Sequence, residues 1–278
     1  MTRDLTETTI TEAVLARTGG SPRAREVMRS LVTHLHGFVR DVQPTIDDWA
    51  YAIAFLTRTG KLCTETRQEF ILLSDALGVS TLVDAINHSD GGTESTVLGP
   101  FYVPGIPESP NGSDITAGLP GQPLLVEGTV VAGDRPIANA LVETWQADRE
   151  GFYDVQRGEG TALRGTFRTD ARGRFWFWSI QPKFYPIPDD GTVGDLLKAT
   201  ERHPNRPAHV HFMITAPEFP RLVTHVFSEP DPYLDSDAVF AVKQSLIRRF
   251  EERPAGTAPD GRVLDQPWRH LVYDFALA

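Results

Sequence analysis

Three stretches of this chain carry side chains suited to holding and activating a small molecule. The densest is His203-Pro204-Asn205-Arg206-Pro207-Ala208-His209-Val210-His211-Phe212. Read as a strand, it turns His209 and His211 to one face and Val210 and Phe212 to the other, because strand side chains alternate. Two imidazoles side by side on a rigid strand can hold one metal ion. Pro207 presets the backbone, and Arg206, three residues before His209, adds a permanent positive charge. The other two stretches are Trp145 to Asp154, which contains Tyr153, and Ser179 to Pro188, which contains Tyr185; His225 lies one strand beyond the histidine pair. Taken singly, each tyrosine reads as a packed ring with a satisfied hydroxyl. A lone His-x-His likewise reads as two polar residues on a solvated strand.

The elements around these stretches fall into two kinds. Residues 1 to about 90 read as helical. Ser21-Pro22 is a helix start, with Ser as N-cap and Pro at the first helical position. Behind it Val27, Leu31, Leu35 and Val39 recur at helical spacing and close one apolar face. Thr45 followed by Asp47 and Asp48 is a second start, with acids where the helix dipole favours them; Trp49, Ala52, Ile53 and Leu56 make its stripe. A third helix is expected from about Thr64 to Leu77, then a short one carrying Leu82, Val83 and Ile86. With no nucleotide-binding loop and no basic face, this region reads as a helical cap or an oligomerisation element.

From about 90 to 122 Gly and Pro dominate, marking loop and extended chain between two subdomains. Beyond it the pattern is of strands: Leu124 to Val131, Ala140 to Trp145, Thr166 to Thr169, Arg174 to Ile180, Pro207 to Thr215 and Leu222 to Phe227. The turn Asp170-Ala171-Arg172-Gly173 places Gly where a positive φ is expected. Asp235 to Phe250 reads as a helix with Val239, Val242, Leu246 and Phe250 on one side, and Trp268 to Phe275 as a closing strand. The whole predicts an α+β chain: a helical domain over 1–95 with a linker to about 122, then an antiparallel β-sandwich domain over 96–278.

Composition excludes several classes. The formal charge is −10, which disfavours nonspecific binding to nucleic acid or anionic membrane. The single cysteine, Cys63, excludes an intrachain disulfide and a cysteine metal cluster. No apolar run approaches the ~20 residues that span a bilayer. The segment Met1-Thr2-Arg3-Asp4 lacks the apolar core of a signal peptide. A cytoplasmic location is the expectation.

Leu98-Gly99-Pro100-Phe101-Tyr102, Gly151-Phe152-Tyr153, Arg164-Gly165-Thr166-Phe167, Ile180 to Pro188 and Asn205-Arg206-Pro207-Ala208-His209-Val210-His211-Phe212 together resemble the intradiol ring-cleavage dioxygenases, in the same order over roughly residues 20 to 275. The resemblance implies one non-haem Fe(III) per subunit with Tyr153, Tyr185, His209 and His211 as ligands, Tyr185 leaving when substrate binds and Tyr153 staying. Hard oxygen donors suit such an ion. Three positive charges met by two tyrosinates and one hydroxide sum to zero, so no uncompensated charge is buried. A catechol dianion replacing the hydroxide and one tyrosinate keeps that total, and the departing groups take up its two protons. Arg206 is then expected to stabilise negative charge on the ring.

Where many catechol-cleaving relatives carry glutamine, this chain has His225, a donor either to the iron-bound oxygen or to a ligand. Together with Asp231 to Phe240 it makes the chain similar to the branch that opens hydroxyquinol (benzene-1,2,4-triol) to 3-hydroxy-cis,cis-muconate or maleylacetate. The resemblance implies a pocket of Leu72, Asp75, Val97, Leu98, Gly99, Pro100, Phe101, Ile187, Pro188 and Arg206, with Asp75 as acceptor for the third hydroxyl. It also implies a homodimer joined through the N-terminal helices, with phospholipid bound between the subunits. Three alternatives stand beside it: catechol or chlorocatechol cleavage, a ferrous site of His209, His211 and His225, and a transthyretin-like β-sandwich binding module.

Overall fold

The structure, a computed structural model, describes residues 4–64, 67–88, 91–158 and 160–278. By compactness the chain divides after Arg58. In the first unit the helix Pro22–Val42 begins as expected: Ser21 Oγ accepts from the Ala24 amide at 3.2 Å, with Pro22 at the first position. The helix Ile46–Leu62 starts with a reciprocal cap, Thr45 Oγ1 accepting from the Asp48 amide at 3.1 Å and Asp48 Oδ2 from the Thr45 amide at 2.9 Å. A short helix, Ile10–Leu15, precedes them. The stripe Val27, Leu31, Leu35 and Val39 lies on the helix as its spacing requires, yet each of the four stays about half exposed.

The second unit, Thr59–Ala278, opens with helices Glu69–Ala76 and Val79–Asn87. The first begins later than its spacing suggests. Thr64 and Arg67 bond to each other, the Thr64 amide to the Arg67 carbonyl and the Arg67 amide to Thr64 Oγ1. Such local bonding competes with helix; positions 65 and 66 of the expected helix lie outside the described residues. Residues 91–122 carry no helix and touch the strands through two isolated bridges, Glu108 to Thr166 and Asp114 to Trp178.

Two sheets follow. One is built on Pro123–Ala132, flanked by Arg174–Ile180 and by Trp268–Val272, with Glu251–Arg253 beyond. The other runs in the order Ile247–Arg249, Leu222–Glu229, His209–Thr215, Leu141–Gln146, Arg164–Arg168. Rings from both sheets meet in the core: Phe167 stacks on Phe177 at 5.0 Å and Phe212 packs on Phe275 at 4.8 Å. The Asp170–Gly173 turn forms as predicted, with Gly173 at φ +74° and Asp170 Oδ1 accepting from the Arg172 and Arg174 amides.

The sheets are mostly antiparallel, as expected; Trp268–Val272 and Phe275–Ala276 pair parallel to Pro123–Ala132, and Ile247–Arg249 pairs parallel to Leu222–Glu229. One expectation is corrected. Asp235 to Phe250 is not a helix. It holds a 3-10 turn, Gln244–Leu246, and the strand Ile247–Arg249. The Asp237 carboxylate accepts from the Val239 and Ala241 amides, and Phe240 turns left-handed at φ +57°, so the backbone bends where a helix would continue. Val239, Leu246 and Phe250 are buried all the same.

Candidate metal centre

The register of the second sheet builds the site. His211 pairs with Trp145 on one side and with His225 on the other. Directly opposed residues share a face, so all three rings lie together. The Trp145 ring stacks on the His211 imidazole at 4.6 Å and 16°. His209, two residues earlier, presents the same face, and its Nε2 lies 3.1 Å from His211 Nε2. Its Nδ1 is held by the Pro207 carbonyl at 2.7 Å. Val210 and Phe212 fill the core behind, so the histidines are buried as well, against the solvated strand that an isolated pair suggests.

The tyrosines arrive on loops. Asp148 Oδ1 accepts from the Glu150 and Phe152 amides and folds the turn that delivers Tyr153, whose amide donates to Gln156 Oε1 at 2.8 Å. Gly151, at φ +92°, has no Cβ to collide with the Phe184 carbonyl and Tyr185 Cβ, each 3.0 Å from where one would sit. The two tyrosine loops therefore approach closely. Tyr185 pairs with Arg206 across a short antiparallel bridge that sets the guanidinium beside the phenol. Tyr153 Oη is 3.2 Å from Tyr185 Oη and 3.0 Å from His211 Nε2. Two phenol oxygens and two imidazole nitrogens thus meet in one buried spot.

Burial, then the neighbouring Tyr185, pushes the Tyr153 phenol well above its ordinary pKa. Burial with Arg206 holds His209 well below its ordinary value, and burial with His209 does the same to His211, so both imidazoles are neutral. Burial works against the Arg206 charge, but Asp237 and the two phenols more than offset it and its pKa is raised. Asp237 grips Arg206 from Nε at 3.1 Å and Nη2 at 3.3 Å, leaving Nη1 facing His209 Nε2 at 3.4 Å.

His225 does not aim at the spot where the four donors meet. Its Nε2 lies 2.8 Å from His211 Nδ1 and its Nδ1 lies 2.8 Å from Thr96 Oγ1, so both ring nitrogens are engaged. By distance alone His209, His211 and His225 form a histidine cluster suited to a metal, but the bonding makes His225 a support for His211.

Beside this centre lies a cavity of about 220 Å³ lined in part by Leu72, Asp75, Pro100, Phe101 and Pro188. Phe101 joins the two, its ring stacked on Tyr153 at 4.4 Å and 26°. Five other expected pocket residues do not line that cavity. Val97, Leu98 and Gly99 lie in the loop before Pro100, where a Cβ on Gly99 would sit 3.4 Å from His211 Cε1. Ile187 is buried with its amide on the Pro204 carbonyl, and Arg206 faces the histidines. Asp75 is 3% exposed, and its Oδ1 has no hydrogen-bond partner among the described residues. Burial pushes its pKa up. A wider hollow of about 670 Å³ near Arg149 and Lys183 holds none of the expected residues.

Sequence reasoning missed Asp237, Thr96 and the role of Arg164. Arg164 holds Asp154, next to Tyr153, and donates to the Phe101 carbonyl at 3.0 Å. Asp237 sits in an acidic run with Asp231 and Asp235 that looks like solvated loop, and Thr96 is one of many threonines; nothing local marks either. Arg164 stands in a motif already singled out.

The family model described as catechol dioxygenase N terminus matches residues 21–93, and the model described as dioxygenase matches residues 97–278. Hydroxyquinol 1,2-dioxygenase of Corynebacterium glutamicum is 50% identical over 265 residues, covering 93% of this chain and 88% of that protein. The 6-chlorohydroxyquinol 1,2-dioxygenase of Cupriavidus pinatubonensis is 52% identical over 256 residues, 89% of this chain and 92% of that one. The crystal structure of hydroxyquinol 1,2-dioxygenase from Pseudomonas putida DLL-E4 superposes with a TM-score of 0.91 at 44% identity, covering 98% of each chain. The chain belongs to the intradiol ring-cleavage dioxygenases, a family of enzymes.

Proposed function

We propose that this enzyme opens hydroxyquinol with dioxygen between the two adjacent hydroxylated carbons, at one Fe(III) per subunit held by Tyr153, Tyr185, His209 and His211. One observation carries the reading: Tyr153 Oη, Tyr185 Oη, His209 Nε2 and His211 Nε2 meet within 3.0–3.2 Å of their neighbours, all buried. Metal–ligand bonds of about 2.0–2.2 Å separate adjacent ligand atoms by roughly 3 Å, so this spacing fits a single ion. The donor set fits a hard, highly charged one: both imidazoles are neutral, and only a strong positive charge would strip the proton from a phenol that burial holds as far up as Tyr153. A three-histidine ferrous site is disfavoured because Thr96 and His211 occupy both nitrogens of His225.

Ferric iron at that position supplies the electron withdrawal that makes a bound diol reactive toward dioxygen. The chain's own residues do the rest. Tyr185 Oη would accept one of the two protons of the diol and a hydroxide on the ion the other, so that no separate base would be needed. Arg206, clamped by Asp237, offers Nη1 to negative charge developing on the ring. With His211 Nε2 on the ion, His211 Nδ1 would carry the proton and donate to His225 Nε2, making His225 an acceptor rather than the expected donor. Phe101, stacked on Tyr153, keeps water from the phenol.

Asp75 carries the choice of ring. An unpaired buried carboxyl oxygen in the cavity costs energy until something bonds to it, and the third hydroxyl of hydroxyquinol answers that need where plain catechol leaves it unpaired. The relatives named for hydroxyquinol and its 6-chloro derivative support the same assignment. The two family models support a division near residue 95. The exposed stripe of Pro22–Val42 supports a homodimer joined through these helices, with phospholipid in the groove. Among the described residues no helix is long and apolar enough to cross a membrane, and we place the enzyme in the cytoplasm.

Purified protein should be red-brown from a tyrosinate band, and Tyr153→Phe should lose most of that absorption; a colourless, iron-free parent refutes the centre. Oxygen uptake should favour hydroxyquinol over catechol by at least about tenfold in kcat/KM, and Asp75→Ala should bring the ratio toward one. A parent ratio of one or less removes the substrate assignment. Asp237→Asn leaves the buried Arg206 charge unpaired and should cost about 3–5 kcal/mol in urea unfolding; an unshifted midpoint shows that the pair does not hold the arginine. Sedimentation at micromolar concentration should give a dimer, and a monomer rejects the helical interface.

A further inference from the structure

Arg67, Glu69 and Asp190 form a cluster at the cavity to which nothing above gives a role. Arg67 and Glu69 line the cavity along with Leu72 and Asp75 of the helix Glu69–Ala76; Pro188, two residues before Asp190, lines it from a separate segment. Glu69 is fully buried. Its Oε2 accepts from Arg67 Nε at 3.1 Å and Nη2 at 2.9 Å, and its Oε1 from the Val193 amide at 3.1 Å and Thr192 Oγ1 at 3.3 Å. It therefore caps the helix Thr192–Ala199 from outside while gripping the arginine. Gly191 leaves room for this pair, since a Cβ there would collide with Glu69 Oε1 and sit 2.6 Å from Arg67 Nη2.

The other side of the guanidinium reaches Asp190, Nη1 to Oδ2 at 3.1 Å and Nη2 to Oδ1 at 2.8 Å. The two ends differ in kind. Glu69 has no solvent exposure, whereas the Asp190 side chain is 71% exposed. A buried, multiply bonded carboxylate is a fixed anchor; a solvated one forms a weak pair that salt screens.

We propose that the Arg67–Asp190 pair is the latch of the substrate cavity. It ties the helix Glu69–Ala76 to the segment carrying Ile187 and Pro188, opens at the Asp190 end to admit the ring, and recloses with Arg67 still hinged on Glu69. The idea rests on the hydroxyquinol reading, and the substrate makes it measurable. A triol whose phenols titrate near 10, as tyrosine does, is uncharged at pH 7, so ionic strength does not steer its encounter with the protein. Salt acts instead on the latch.

The test follows association of hydroxyquinol with the iron-loaded enzyme under argon, by stopped-flow change in the visible band. Sodium chloride is raised from about 0.01 M to about 1 M, which shrinks the screening length from ~30 Å to ~3 Å. The association rate should rise about two- to fivefold, the range that an exposed ion pair spans. Asp190→Asn should associate at low salt as fast as the parent does at high salt, with no further salt dependence and an unchanged melting temperature. A parent rate indifferent to salt overturns the latch, as does an Asp190→Asn enzyme that keeps the parent's slope. Oxygen uptake in the same preparations separates the two claims. Salt-dependent association without turnover leaves the latch standing and removes the function, turnover with salt-independent association does the reverse, and no association removes both.

Discussion

Full charges in a dry interior must be paired, and that constraint orders the whole centre. Around the two phenols and two imidazoles, each buried arginine has a carboxylate of its own: Arg206 has Asp237, and Arg164 has Asp154. Removing a charge from water costs several kcal/mol unless the partner's geometry returns it, so the surroundings of the donors are balanced before any ion arrives. What remains is a pair of neutral imidazoles, the Tyr185 phenol, and a Tyr153 phenol that burial holds well above its ordinary pKa.

The geometry comes from a rigid part and a set of loops. The strand His209–Thr215 lies between two neighbours, so the places of His209 and His211 are set by a hydrogen-bonded register that also brings Trp145 and His225 alongside. A slip of one residue would turn both histidines into the core. The tyrosines have no such register. Their positions depend on the Asp148 turn, on the space left at Gly151, and on the Tyr185–Arg206 bridge. Loops yield more readily than a central strand, so the two tyrosines are the more movable half of the set.

The cavity joins different materials again. Phe101 is shared between pocket and centre, Asp75 brings a carboxyl oxygen without a partner, and Arg67 spans from a buried acid to a solvated one. Unpaired acceptor, stacked ring and half-solvated ion pair thus lie in adjoining but separate groups.

The local signals in the chain were enough for the parts whose physics is local. Ser21-Pro22 and Thr45 with Asp48 cap their helices as written, Asp170 to Gly173 turns as written, and the alternation in His209-Val210-His211-Phe212 aligns two imidazoles. The motif order was enough to join Tyr153 and Tyr185 to that pair. Only the tertiary structure decided the rest. Apolar residues at helical spacing suggested a helix over Asp235 to Phe250, but the Asp237 carboxylate took the amides of Val239 and Ala241 and bent the chain. The partner of Arg206 stands 31 residues away, Thr96 meets His225 across 129, and Asp190 meets Arg67 across 123. Periodicity and caps report on a few turns of backbone, whereas the pairing of buried charges is settled by which segments packing brings within reach, and no local pattern encodes that.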